Sequence, residues 1–128
     1  MIDAHAHVWV LDPERYPWQP TLSHVPIPTT AATAEDLLAE MDRSGVSHTV
    51  LVQPSVYGWD NRYLCDCLER YPDRFRGICL VNLHSARAGQ DLRYWCAERG
   101  CQGVRVNLIA DTDAHWLLEP QHDELWNM

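Results

Sequence analysis

The chain has 128 residues, 46% of them hydrophobic, with a formal charge of −8 and an isoelectric point near 5.2. That length suits one domain, and that apolar content excludes disorder as the main state. An acidic chain with no basic stripe is a poor binder of nucleic acid or of an anionic membrane, and no apolar run approaches the ~20 residues that a membrane helix needs.

Residues 2–9 read IDAHAHVW. Their alternation predicts a strand, with Asp3, His5 and His7 in a row on one face and small apolar residues on the other. Two histidines so placed can bind one divalent ion through ring nitrogens, or hold an anionic or carbonyl substrate. A surface strand with solvated histidines has the same spacing. No basic stretch followed by an apolar core opens the chain, so no secretory signal is expected and the expected location is cytoplasmic. From 11 to 33, Pro13, Pro17, Pro20, Pro26 and Pro28 forbid regular structure, and Tyr16, Trp18 and His24 lie between them. An aromatic loop of this length is expected to wall or cover a site, the alternative being a plain surface meander.

Thr33 and Asp36 then make a near capping box for a helix with Leu37, Leu38 and Met41 inward and Gly45 as its stop. Residues 46–53 (VSHTVLVQ) predict a buried strand ended by Pro54. A turn over 57–61 leads into a helix over about 61–71 with Leu64, Cys67, Leu68 and Tyr71 inward, and Pro72 stops it. Residues 75–82 predict a third strand. Residues 86–99 predict a third helix with Leu92, Trp95 and Cys96 on its apolar side, and 103–108 a fourth strand. Asp111 and Asp113 cap a short helical piece near 114–118, Pro120 interrupts it, and 121–128 begin a further helical turn. Five cysteines is an odd count without CxxC spacing. Cys65, Cys67, Cys79, Cys96 and Cys101 are therefore expected to be reduced thiols, with Cys65 and Cys67 diverging around their helix.

Strands alternating with helices imply an α/β fold with a parallel sheet and right-handed crossovers. Four such units suit an open doubly wound sheet or half of a (β/α)8 barrel. The absence of GxGxxG after the first strand disfavours a dinucleotide site. Polar residues two apart near the strand ends favour the barrel: His5 and His7, Gln53 and Ser55, Asn82 and His84, Arg105 and Asn107. Below them, Leu51, Ile78 and Leu80 share the parity expected to point inward. His5 and His7 are thus the candidate catalytic or metal-binding pair. Gln53, Ser55, Arg105 and Asn107, with Tyr57 in the following turn, are the candidate substrate-binding residues. Arg105 between Val104 and Val106 needs an anion; a substrate carboxylate or carbonyl oxygen and a structural Asp or Glu partner are both open. His24, His48, His84, His115 and His122 show no mutual ligand spacing; His48 is read as a loop or strand-edge residue and the rest as loop residues.

IDAHAHVW, the YPW loop, VQPS followed by YGWDN, and GVRVN together resemble the amidohydrolase-related (amidohydrolase 2) family of TIM-barrel hydrolases, in its lactonase branch of 2-pyrone-4,6-dicarboxylate lactonase and fuconolactonase-type enzymes. The resemblance implies that residues 1–128 are the N-terminal half of a barrel, cut within the fourth helix, since a whole barrel takes ~250 residues. His5 and His7 would take the place of the family's HxH pair, which binds zinc or a similar divalent ion in some members and contacts substrate without metal in others. Ser55 and Arg105 match positions that line the lactonase substrate site. No second basic residue follows Arg105, which tells against a dicarboxylate. The implied chemistry is attack of activated water on a lactone or amide carbonyl. An aspartate on a later strand would be the base, and the histidines or a metal, with Arg105, would stabilise the oxyanion. The expected partner is a small lactone or acid, not nucleic acid or membrane. The alternatives are a metal-dependent decarboxylase or amidohydrolase of the same family, and a non-catalytic half-barrel that pairs with a partner half or with itself as a homo-oligomer.

Overall fold

A computed structural model describes residues 1–107 and 120–123. Four strands, β1 (Ile2–Ala6), β2 (His48–Val52), β3 (Phe75–Leu80) and β4 (Gly103–Arg105), alternate with three helices, α1 (Ala34–Ser44), α2 (Arg62–Arg70) and α3 (Ala88–Arg93). All neighbours pair parallel, in the order β1-β2-β3-β4. A doubly wound sheet reverses its strand order at a switch point; an order that follows the chain throughout is that of successive units of a (β/α)8 barrel. The described strands make half of one.

Local signals set the helices. α1 begins at a full capping box, with Thr33 accepting from the Asp36 backbone and Asp36 accepting from Thr33, and ends at Gly45. α2 packs on β3 where Gly77 leaves room: a Cβ there would lie 2.5 Å from Leu68 Cδ1. The third helix is shorter than its pattern predicts, because Tyr94–Glu98 widens into a π turn after Ala88–Arg93. Trp95 and Cys96 still pack against the core.

One face of the sheet forms that core. Thr49, Leu51 and Gln53 along β2 and its end, and Phe75, Gly77 and Cys79 along β3, are buried beneath the helices. The pairing of Thr49 with Phe75 and Leu51 with Gly77 puts them on one side. This corrects the expected parity of the second strand: Leu51 and Gln53 face the helices, and Val50 and Val52 take the other side. Both parities of VSHTVLVQ offer apolar groups, so alternation alone does not choose between them.

Cys65 and Cys67 are both buried although they diverge around α2, and Cys65 Sγ lies 3.9 Å from Cys101 Sγ. All five cysteines are free thiols. Burial pushes the Cys67 thiol up to about 11, which leaves it inert at neutral pH. The proline-rich segment is pinned to the sheet. Trp9 and Ala32 exchange backbone bonds of 2.8 and 3.1 Å, Gln19 N–H donates to Val56 O at 2.9 Å, and Tyr16 is buried. His122, read from sequence as a loop residue, is buried in a 3-10 turn (Pro120–His122), with Nε2 2.8 Å from Leu83 O. The predicted caps at Asp111 and Asp113, the helical piece near 114–118, His115 and residues 124–128 lie outside the described residues. Among the described residues, no helix is long and apolar enough to cross a membrane.

Candidate active site

The mouth starts from an irregularity in β1. From Asp3 to Ala6 is three steps, whereas the paired stretch of β2 from Thr49 to Leu51 is two. The extra residue breaks the alternation. Asp3, paired with Thr49, turns its Oδ1 onto the backbone N–H of His5 at 3.0 Å. Asp3 is therefore not the third member of a row with the histidines; it is a local backbone brace. His5 and His7 do come together, with Nε2 atoms 3.2 Å apart and rings edge to face.

Their protonation follows from their partners. His7 Nδ1 lies 2.7 Å from Val52 O, and a carbonyl can only accept, so Nδ1 carries the proton. His7 Nε2 is then the lone-pair nitrogen, and His5 Nε2–H donates to it when no cation intervenes. Burial holds the His7 pKa below its ordinary value; the Val52 carbonyl opposes this, and the nearby His5 and Arg105 add to it. His7 is accordingly neutral at pH 7.

The same pair fits two ligand positions of a divalent ion. Nitrogens each ~2.0–2.1 Å from a tetrahedral zinc lie about 3.3 Å apart, and a backbone carbonyl on the other ring nitrogen is the usual outer partner of a metal-binding histidine. Among the described residues no third His, Cys, Asp or Glu joins them. His5 and His7 could supply two of the three protein ligands that a catalytic zinc needs.

Arg105 reaches the same place from β4. Its Nη1 donates to Gln53 O at 3.1 Å, next along the chain to the Val52 carbonyl that holds His7. No carboxylate pairs with Arg105 among the described residues. Arg105 and Asn107 line a cleft of about 230 Å³ with Thr21, Leu22, Trp59 and Asn82. His84 lines it too; its backbone N–H donates to Asn82 Oδ1. His5 and His7 are not in the wall of this cleft, and Arg105 is the link between the two.

The remaining candidates divide. Ser55 is half-buried in a 3-10 turn (Ser55–Tyr57) directly above β2. The Gln53 side chain is fully buried on the helix side and donates to Gly58 O at 3.2 Å and Asp60 O at 2.8 Å. Only its backbone carbonyl serves the mouth. Tyr57 is also buried: its hydroxyl bonds both N–H and C=O of Val10, and its ring stacks on Trp18 at 4.8 Å. Both side chains position loops and are withdrawn from the cleft. Sequence reasoning passed over Trp59, which is 48% exposed and lines the cleft, and Asn61, which is fully buried. Asn61 accepts from Leu80 N–H and donates to Leu80 O and Trp59 O. The Gly–Trp–Asp–Asn run was the available signal, a turn with an aromatic at its tip.

Comparison with known proteins completes the site's context. The amidohydrolase family matches residues 2–128. The chain belongs to this family. It is 32% identical over 120 residues to an L-fucono-1,5-lactonase from Burkholderia ambifaria, covering 93% of this chain and 40% of that protein. It is 29% identical over 108 residues to a 2-pyrone-4,6-dicarboxylate hydrolase from Comamonas testosteroni, covering 84% and 33%. Among solved structures, a probable 2-pyrone-4,6-dicarboxylic acid hydrolase from Acinetobacter baumannii with citric acid bound superposes with a TM-score of 0.74 at 30% identity, covering 98% of this chain and 44% of that one. This amidohydrolase chain thus spans less than half the length of the relatives it matches.

Proposed function

We propose that this amidohydrolase chain forms the first four units of a barrel that opens a lactone by attack of water on the ring carbonyl. The observation that carries the reading is the convergence of His7 and Arg105 on adjacent carbonyls, Val52 O and Gln53 O, at the top of β2. A neutral His7 imidazole beside a guanidinium that no carboxylate among the described residues pairs suits a reaction in which an oxygen gains negative charge. Arg105 holds the carbonyl oxygen or a substrate carboxylate, and His5 and His7 hold the water. The water oxygen bonds to the carbonyl carbon, the ring C–O bond breaks, and the departing oxygen takes a proton to give a hydroxy acid. The base is assigned to an aspartate on a later strand, so residues 1–128 alone are inactive. A divalent ion such as zinc on His5 and His7 would polarise the carbonyl or acidify the water; the hydrogen bond between the two rings also supports metal-free binding. Ser55 and Asn107 serve as substrate contacts, while Gln53 and Tyr57 position the loops around them. β1 and β4 are edges of the described sheet, so association with a complementary half, supplied by a longer chain or a second copy, belongs to the same proposal.

Joining residues 1–107 to the complementary half of the A. baumannii relative tests this. Hydrolysis of at least one lactone in a panel of L-fucono-1,5-lactone, 2-pyrone-4,6-dicarboxylate and 2-pyrone-5-carboxylate, falling with His7→Ala and Arg105→Gln, is the expected outcome. Lactones left intact while an aromatic acid loses CO2 would sink the lactonase reading and install the metal-dependent decarboxylase, for which the His5–His7 geometry also speaks. Loss of activity on chelation would separate the metal-dependent version from the metal-free one.

A further inference from the structure

Two buried amides hold the turn that carries one exposed indole. Gln53 Nε2 donates to Gly58 O and Asp60 O, and Asn61 Nδ2 donates to Trp59 O, so three successive carbonyls are fastened. Asn61 also bridges both backbone groups of Leu80 at the end of β3. Gly58, at φ +55°, takes a conformation open to glycine, and a Cβ there would meet Gln19 O at 2.2 Å. The proline-rich segment is thereby locked against the same turn through Gln19 and Thr21. A surface tryptophan on a loose loop would need none of this. Trp59 is held at fixed position in the wall of the cleft that contains Arg105.

The charges in that cleft narrow the ligand. Among the described residues that line the cleft, Arg105 is the one arginine; the other polar walls include Asn82, Asn107 and the exposed His84. Amides hydrogen-bond a second carboxylate without neutralising it. An indole face covers a flat π ring fully, whereas a puckered ring touches it only through a few C–H groups.

We propose that Trp59 is a specificity-determining residue of this site, selecting a planar unsaturated ring that bears a single carboxylate. The carboxylate meets Arg105 and the ring lies against Trp59. This deepens the lactonase reading and rests on it.

The test uses the 128-residue chain and three probes: 2-pyrone-5-carboxylate (planar, one charge), cyclohexanecarboxylate (puckered, one charge) and 2-pyrone-4,6-dicarboxylate (planar, two charges). Affinities are read from indole and arginine side-chain N–H shifts, with the Trp59 indole assigned by Trp59→Phe. The planar monoanion is expected to bind about fivefold tighter than either other probe and to move the Trp59 signal. Trp59→Ala should bring the planar-to-puckered ratio to about one, and Trp59→Phe should restore part of it. A ratio that survives Trp59→Ala, or shifts confined to other indoles, would overturn the proposal while leaving the lactonase reading intact. Affinities untouched by Arg105→Gln would instead refute that reading of the mouth. Failure of all three probes to bind would overturn the proposal, while the lactonase reading is decided by the joined barrel. A backbone amide spectrum with the wild-type dispersion confirms that each variant is folded.

Discussion

β2 separates two regions built on opposite terms. On its helix side, Thr49, Leu51 and Gln53 are almost wholly buried against Phe75, Cys79 and the helices, and every one of them is a packing or bracing residue. At its upper end, the Val52 and Gln53 carbonyls hold His7 and Arg105, side chains still half exposed and with few partners. The contrast is sharpest at Gln53, whose amide is locked in the first region while its carbonyl serves the second. The packed core lies on one side of a single strand and the candidate site at its upper end, so substitutions should affect stability and the proposed activity separately.

The largest expected loss of stability is on the helix side. Phe75→Ala, at 1% exposure, should cost about 3–5 kcal/mol in urea unfolding through lost burial and a residual cavity. A cost below ~1 kcal/mol would mean that the sheet is not packed as described. Asn61→Ala should cost about 2–3 kcal/mol, because it strands the buried N–H and C=O of Leu80. Hydrogen exchange at the end of β3 should quicken in the same variant. His7→Ala should shift unfolding by less than ~1 kcal/mol, since the ring is half-buried with one backbone partner. In a completed barrel it should nevertheless lower lactone turnover about a hundredfold. Equal damage to stability from His7→Ala and Phe75→Ala would erase the distinction between the regions.

The smallest effect is the pH dependence carried by His7. Its folded pKa lies below the ordinary 6.5, with burial as the main cause. The unfolded chain therefore binds more protons than the folded one between the two values. The contribution of His7 to stability is full above 6.5 and is lost as pH falls through the lowered folded value. Urea midpoints should decline slightly from pH 7.5 to 5.5 in the wild type, and less in His7→Gln. An identical decline in both would place the titrating group elsewhere.

Much of the fold was legible because its signals are local. The Thr33–Asp36 box, the Gly45 stop, the prolines after β2 and α2, and the alternating strand–helix lengths each act within a few residues. The HxH pair was legible for the same reason, as was Arg105, an arginine set between valines. Trp59 and Asn61 were not, since an exposed aromatic and a polar turn residue are ordinary until the cleft and the Leu80 contact bring out their roles.

By itself the sequence determined the element order, the parallel α/β class, the family resemblance and the residues able to do chemistry, all of which depend on periodicity and short motifs. Tertiary structure alone decided which side each of those residues faces. In β2 both parities are apolar, so pairing with Phe75 and Gly77 sent Gln53 inward to the helices and left its carbonyl for Arg105. In β1 one extra residue turned Asp3 away from the histidines that share its spacing. A strand's period of two leaves its sign open, and a one-residue slip reverses it; only the neighbouring strands supply the energy that settles the choice. The opening HxH pair thus keeps its place at the mouth, with Val52 and Arg105 as its companions where Asp3 was expected.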